Sequence, residues 1–390
     1  MKYSCQHIRW WMSSLLLLLL TACSGGSADD TTMTPTPETP ETPNNAMLLD
    51  IGVQNLGLST LTRAGNIDAS DAENQIKSLQ IWVFESGSNT LVAYLNPTNY
   101  PSATQDMVYQ TNVTPAYANK TPKPNVDVYV IANAASVGLT ALTDASTRSQ
   151  LEEAVIGNTY FGPQTAIPTE GLPMSGVLHN KAVVSQTNKP VLRIANFDNM
   201  EKVSLSRAVS KVRFVFCRPS STTDLSIRGV DIKADMIPDQ EYVFLGTDGR
   251  TFRVGSSYNT AAIPLLGTTP VTDIAVCNDA SKYFYTSQGA QEYENLINKG
   301  VNPDNNGTPE LTQVGPFYFR ETDKKLGGTI SYAAGGDKSA DFSIQASGDF
   351  SRNRSWIVFA YYEGLTGLQI NVVDVTPWEE SESNHDVYNW

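Results

Sequence analysis

The residue best placed for chemistry is a cysteine. Leu20-Thr21-Ala22-Cys23 follows a short basic start, Lys2 and Arg9, and an apolar run from Trp10 to Leu20 that ends in consecutive leucines. A run of this length is too short to span a bilayer comfortably and suits the h-region of a secretory signal. Small side chains before a cysteine fit the narrow pocket of a processing peptidase, and the freed thiol can then carry a diacylglycerol. Residues 1–22 therefore read as a lipoprotein signal peptide, with Cys23 as the lipidated residue.

Other reactive groups are sparse. Apart from Cys5 in the leader, the remaining cysteines are Cys217 and Cys277, which could form one disulfide or stay as two buried thiols. His179 and His385 are the histidines beyond the leader, too few and too far apart for a His/Cys metal cluster. His179 follows a Pro-Met-Ser-Gly turn and reads as structural, while Glu152-Glu153 reads as the solvated face of a helix. Asp304-Asn305-Asn306-Gly307 lacks the ligand spacing of a calcium loop and reads as a turn. The chain has no G-x-S-x-G nucleophile elbow and no phosphate-binding P-loop. Nothing in it points to an enzyme, a metal or a cofactor. The net charge of −13 argues against a nucleic-acid partner, which would need clustered Lys and Arg.

The elements that would carry these residues change character along the chain. Residues 23–45 form a Pro/Thr-rich tether, with Pro35, Pro37, Pro40 and Pro43 favouring extended backbone that buries nothing. Beyond Ala46, short runs alternate with period two: Leu49/Ile51/Val53, Leu79/Ile81/Val83, Val126/Val128/Val130, Val212/Phe214/Phe216 and Leu368/Ile370/Val372. Such spacing predicts half-buried strands, and Ser86-Gly87, Asn96-Pro97, Asp248-Gly249 and Gly335-Gly336-Asp337 supply turns between them. Helical periodicity is confined to Leu139–Ile156 and a short stretch at Ala290–Asn298. The expected fold is mainly β, with two antiparallel sandwiches and one or two short helices. The boundaries are a strand-bearing segment at 46–63, a first domain at 64–200 and a second at 201–390. The break is placed near Asn196-Phe197-Asp198-Asn199.

Five segments, in order, resemble the FimA-type fimbrillins, the type V pilins of Bacteroidales. They are Glu73–Phe84 (ENQIKSLQIWVF), Val128–Ala134 (VYVIANA), Leu172–Gly176 (LPMSG), Leu205–Val212 (LSRAVSKV) and Val375–Trp378 (VTPW). The resemblance implies transthyretin-like sandwiches and a lipidated precursor, carried to the outer membrane through a transient lipid and ending in an extracellular adhesive fimbrium. It also implies cutting by an arginine-specific protease, for which Arg63-Ala64 is the matching position, Arg63 being the sole basic residue between 10 and 76. Removal of the strand before the cut would open a groove, filled by the C-terminal stretch of another subunit. Leu368, Ile370, Val372, Val375 and the anchor Trp378 are the donor residues this implies. From composition alone, 368–376 reads rather as the last strand of its own sandwich, and it is the resemblance that makes it a donor. A different reading of the same features is a surface glycan-binding lipoprotein, with aromatic side chains stacking on sugar rings.

Overall fold

The structure is a computed structural model. It describes residues 46–390 apart from 54–70, 103–104, 158–166, 186–190, 197–198, 245, 247–253, 256, 281–310, 345–349, 376–386 and 389–390. The signal segment, Cys23, the tether, Arg63, Ala64, the 248–249 turn, the 290–298 stretch, the 304–307 turn, Trp378 and His385 lie outside the described residues.

In the N-terminal half the chain runs β1 (Ala46–Val53), α1 (Asp71–Asn74), β2 (Leu79–Glu85), β3 (Leu91–Leu95), β4 (Met107–Asn112) and α2 (Pro115–Ala118). It continues through β5 (Val126–Ala132), α3 (Arg148–Glu152), β6 (Val155–Ile156), β7 (Met174–Lys181), β8 (Val183–Ser185), β9 (Val191–Asn196), β10 (Asn199–Met200) and β11 (Lys202–Arg207). The main sheet follows the order β10-β9-β1-β11-β7-β5-β2-β3, with β4 on β1 and β8 on β9. Its two parts are joined by β11, which changes partner along its length. Its first residues pair β1 in parallel and its last two pair β7. Met47, Leu49 and Ile51 on one wall thereby meet Leu79, Ile81, Val83, Val126 and Val128 on the other.

The C-terminal half holds β12 (Ser210–Cys217), β13 (Ser226–Ile232), β14 (Glu241–Tyr242), β15 (Ile263–Pro264), β16 (Thr312–Phe319) and β17 (Leu326–Ala333). These are followed by β18 (Asp337–Ile344), β19 (Ser355–Tyr362), β20 (Leu368–Val375) and β21 (Val387–Tyr388). Sheets β16-β12-β19-β20-β21 and β15-β13-β17-β18 face each other across Phe214, Ile227, Val230, Phe317, Ile330 and Trp356.

The mainly β, sandwich-built fold is as the alternation predicts, with three refinements. First, not every pairing is antiparallel, because β1 runs parallel to β9 and β11, and β12 parallel to β19. Secondly, β5 and β12 are buried on both faces. The outer side of β2 and β5 (Trp82, Phe84, Tyr129, Ile131) is covered by Leu151, Val209, Phe244 and Tyr318. Thirdly, residues from Pro43 onward form one compact unit, and the chain passes between the two sandwiches at Ala208-Val209, after β11.

The helix predicted over 139–156 shrinks to Arg148–Glu152. Thr147 and Gln150 form a reciprocal capping box at its start. Glu152 is not a free surface acid: its carboxylate accepts from the Tyr129 hydroxyl at 2.5 Å and pairs with Arg148 at 3.0 Å.

Candidate functional site: the groove filled by residues 46–53

β1 is an interior strand made from the segment that precedes Arg63. One edge pairs antiparallel with β4, Ala46 opposite Asn112 through Ile51 opposite Met107. The other edge runs parallel first to β9 (Ala46–Leu48 beside Val191–Arg193) and then to β11 (Asp50–Val53 beside Lys202–Leu205). The gap between β9 and β11 is a tight excursion in which Asn199 and Met200 turn back on Asn196 and Ala195. Met47, Leu49, Ile51 and Val53 are between 0 and 7% exposed. Burying four such side chains is worth about 6–12 kcal/mol in total, comparable to the whole stability of an ordinary domain. Taking β1 away would leave an apolar trough with unpaired backbone along both walls, a state that demands a replacement.

The outer side of β1 is crossed by an ion pair. Lys202 at the start of β11 reaches Asp106, just before β4, at 3.0 Å. A Cβ added to Gly52 would run into the Asp106 carboxylate and come within 3.0 Å of the Lys202 side chain. Beside it Asp50 holds one carboxylate oxygen, Oδ1, buried without a hydrogen-bond partner. Burial, and secondarily the charge of Asp106, push the Asp50 carboxyl above its ordinary value, against the pull of Lys202.

On the far side of the 54–70 segment, α1 is fixed where the two sandwiches meet. Glu73 is 3% exposed and pairs with Lys211 of β12 at 3.1 Å, and the Tyr318 hydroxyl of β16 donates to it at 2.7 Å. Arg207, closing β11, donates to the Glu73 carbonyl at 3.2 Å, to Asn353 at 3.1 Å and to the side chain of Asn74. Asn133, left-handed at φ 58°, accepts from the Lys77 amide and donates to the carbonyls of Gln75 and Leu172. The amide of Ala208 donates to Pro173. Four of the segments that carry the family resemblance therefore converge on this junction. The signal for it was present as short motifs, but their spatial meeting was not. Lys202, Asp106 and Gly52 carried no sequence signal at all, since their relation exists only across β1.

Of the proposed donor residues, Leu368, Ile370, Val372 and Val375 lie on β20 and pair within their own chain. β20 pairs antiparallel with β19 from Leu368 opposite Tyr362 to Val375 opposite Ser355. Leu368 and Val372 are buried in the C-terminal core and Ile370 packs against it. Beyond β20, β21 contributes two paired residues.

Cys217 and Cys277 are both buried, in one small cluster with Val215, Ile357 and Phe359. Arg218 bridges Val276 in parallel, which sets the two cysteines diagonally, two residues out of register. His179 stacks edge-on against Tyr129 in the polar network around Asp127, a structural setting. Among the described residues, no group of acidic, His or Cys side chains could hold a metal ion.

A second buried ionic group ties β14 to β6. Glu241 pairs with Arg352 at 3.1 Å, and Arg352 also donates to the carbonyls of Tyr242 and Val243. Arg320 donates to the carbonyls of Pro238 and Gly157, joining the two sandwiches. Burial raises the Glu241 carboxyl from its ordinary 4.5 to about 7, with Arg352 opposing. The folded chain thus keeps a proton that the unfolded chain releases. Stability should fall as pH rises from about 4.5 to about 7, by at most about 1.4 kcal/mol per unit. In Glu241→Gln that dependence should vanish, and denaturation of both proteins across this range measures the difference. Parallel curves would assign the titration elsewhere.

Comparison with known proteins is consistent with this geometry. Residues 52–212, from within β1 to the early part of β12, match the major fimbrial subunit protein (FimA) family. The fold is similar to that of a protein from Parabacteroides distasonis assigned to cell adhesion. That match has a TM-score of 0.50 and 12% identity, and covers 87% of this chain and 99% of that one. The C-terminally truncated tip fimbrial protein Mfa3 of Porphyromonas gingivalis matches with a TM-score of 0.48 and 12% identity, covering 85% and 99%. No curated protein sequence matches the chain.

Proposed function

We propose, from the match of residues 52–212 to the major fimbrial subunit protein (FimA) family, that the chain is a stalk or tip subunit of an adhesive fimbrium, polymerised by strand exchange. The precursor is exported as a lipoprotein acylated at Cys23 and held at the outer membrane by that lipid. An arginine-specific protease cuts between Arg63 and Ala64. The released piece carries β1 with it, and the stretch Leu368–Thr376 of another subunit fills the groove, with Trp378 beside it. Donor and acceptor lie on different parts of the subunit, so the contact is head-to-tail and does not close, which makes a filament.

The observation that carries this reading is the position of β1. A strand that supplies four buried core side chains and pairs along both edges lies wholly before Arg63. The chain after the cut is separately fastened, through Glu73, Asn74 and Arg207. Cleavage in between divides what can leave from what stays. Lipid attachment at Cys23 then serves delivery and is discarded with the cut piece.

Precursor treated with an arginine-specific protease should convert to ladders of polymers that resist SDS below boiling, and Arg63→Ala precursor should not. Wild-type chain that is cut after Arg63 and stays monomeric contradicts the proposal. For the glycan-binding alternative, Trp82 and Trp356 are fully buried and offer no face for a sugar ring.

A further inference from the structure

We propose that the groove accepts residues 367–372 of a second copy of this chain running opposite to the direction of β1, with Gly367 under the Lys202–Asp106 pair and Gln369 in the place of Asp50. This rests on the strand-exchange reading above and adds the orientation and register of the incoming strand.

The argument starts from what the groove demands row by row. The inner rows at Met47, Leu49 and Ile51 take apolar side chains. The outer row at Gly52 takes a side chain only if the exposed Lys202–Asp106 pair shifts aside, so a small residue there keeps the pair in place. The outer row at Asp50 is a poor place for a carboxylate, because one oxygen is buried without a partner and Asp106 repels it. A strand that replaces β1 gains most if it is small in the Gly52 row and neutral in the Asp50 row.

Laid antiparallel to β1, the chain Gly367-Leu368-Gln369-Ile370-Asn371-Val372 meets each demand. Leu368, Ile370 and Val372 occupy the rows of Ile51, Leu49 and Met47. Gly367 occupies the row of Gly52, Gln369 that of Asp50 and Asn371 that of Leu48. A neutral amide can donate as well as accept, so it suits a site between Lys202 and Asp106 better than a third charge does. Laid parallel, the same stretch fits worse. With Leu368 in the row of Met47, Val373 falls under the ion pair and Asp374 in the row of the buried Val53; with Leu368 in the row of Leu49, Asn371 falls under the ion pair and Thr366 in the row of the buried Met47. The reversed strand would run antiparallel to β9 and β11 and parallel to β4, so the side-chain rows, not the backbone pairing, favour this direction.

Gly367 is needed at home for a different reason. Its φ is +84°, and a Cβ there would meet the Tyr332 hydroxyl at 2.7 Å. Substituting it would disturb both states, so the register is better read by cross-linking on the exposed outer rows. In the precursor Val108 lies opposite Asp50, and Gln110 lies opposite Leu48. Val108, Gln110 and Gln369 are all exposed. The antiparallel register puts Gln369 of one subunit opposite Val108 of the next and Asn371 opposite Gln110, whereas the parallel registers put Gln369 opposite Gln110, or Gln369 opposite Val108 with Asn371 toward Asp106.

Full-length Val108→Cys/Gln369→Cys, Gln110→Cys/Gln369→Cys and Gln110→Cys/Asn371→Cys precursors, with the single variants as controls, would be cut with the arginine-specific protease and oxidised after polymerisation. The first and third pairs should give intersubunit disulfides at roughly tenfold the yield of the second, since a two-row offset exceeds disulfide reach. Linking of the second pair instead, or of the first without the third, would overturn the orientation while leaving the fimbrial reading intact. Polymers in which no pair links would overturn 367–372 as the occupant. Absence of polymer from cut wild-type chain would overturn the fimbrial reading and this inference with it.

Discussion

Precursor in which β20 is tied to β19 by Ala360→Cys and Ile370→Cys should still be cut at Arg63 but should lose filament assembly by an order of magnitude or more, with reductant restoring it. Ala360 and Ile370 are register partners, and both belong to the C-terminal core. Cys217 and Cys277 pack in a separate cluster with Val215, Ile357 and Phe359, which limits mispairing. The expectation follows from comparing two burials. At home β20 buries Leu368 and Val372 fully and is paired along its length on the β19 side, with two pairs to β21. Giving up two such side chains costs about 3–6 kcal/mol. The empty groove has room for three or four, with backbone partners on both walls, so exchange runs downhill once β1 has gone. A locked strand cannot make that exchange. Filaments from oxidised, locked subunits would rule out β20 as the donor. Monomer that stays monomeric after reduction would instead indicate that the substitutions had damaged the fold.

Glu73→Ala should cost about 3–5 kcal/mol of stability, the usual penalty for removing one partner of a buried ion pair. Lys211 would be left with its ammonium inside the protein, and the Tyr318 hydroxyl would lose its acceptor. The pair is nearly inaccessible, with side chains 9% and 4% exposed, so solvent screening offers little relief. The double replacement Glu73→Leu/Lys211→Met should recover much of the loss, because it removes the stranded charge. Denaturant unfolding of the three variants measures both effects. A loss below about 1 kcal/mol for Glu73→Ala would mean that the junction is held by the Arg207 contacts alone. Because α1 follows the 54–70 segment directly, the same variant should loosen the start of the processed chain, visible as added proteolysis near residue 71.

Several parts of this arrangement were legible without coordinates. The alternation at 49–53, 79–83, 126–130, 212–216 and 368–372 located five strands, because a strand's side chains repeat every second residue whatever it pairs with. It failed where burial has a second source. Arg213 and Val215 alternate as if outward, yet both are buried, because the outer face of β12 is covered as well. The helix expected over 139–156 reduces to five residues at 148–152. The turn at 143–146, where the Ser146 hydroxyl accepts from the Thr143 amide, takes the chain out of helical geometry just before the Thr147 cap.

By itself the sequence determined what is local in the chain: which stretches alternate, where backbone must turn, and which single residues suit lipidation or proteolysis. Its short motifs also carried the family resemblance. Tertiary structure alone decided that β1 is an interior strand paired on both sides, since one side meets residues more than fifty positions away and the other residues more than a hundred. It likewise decided that Lys202 and Asp106 close over Gly52 and that Glu73 meets Lys211 at the junction. Short-range periodicity reports which face of an element is apolar. It carries no record of the partner that covers that face, and in this protein the groove and its strand are that partner.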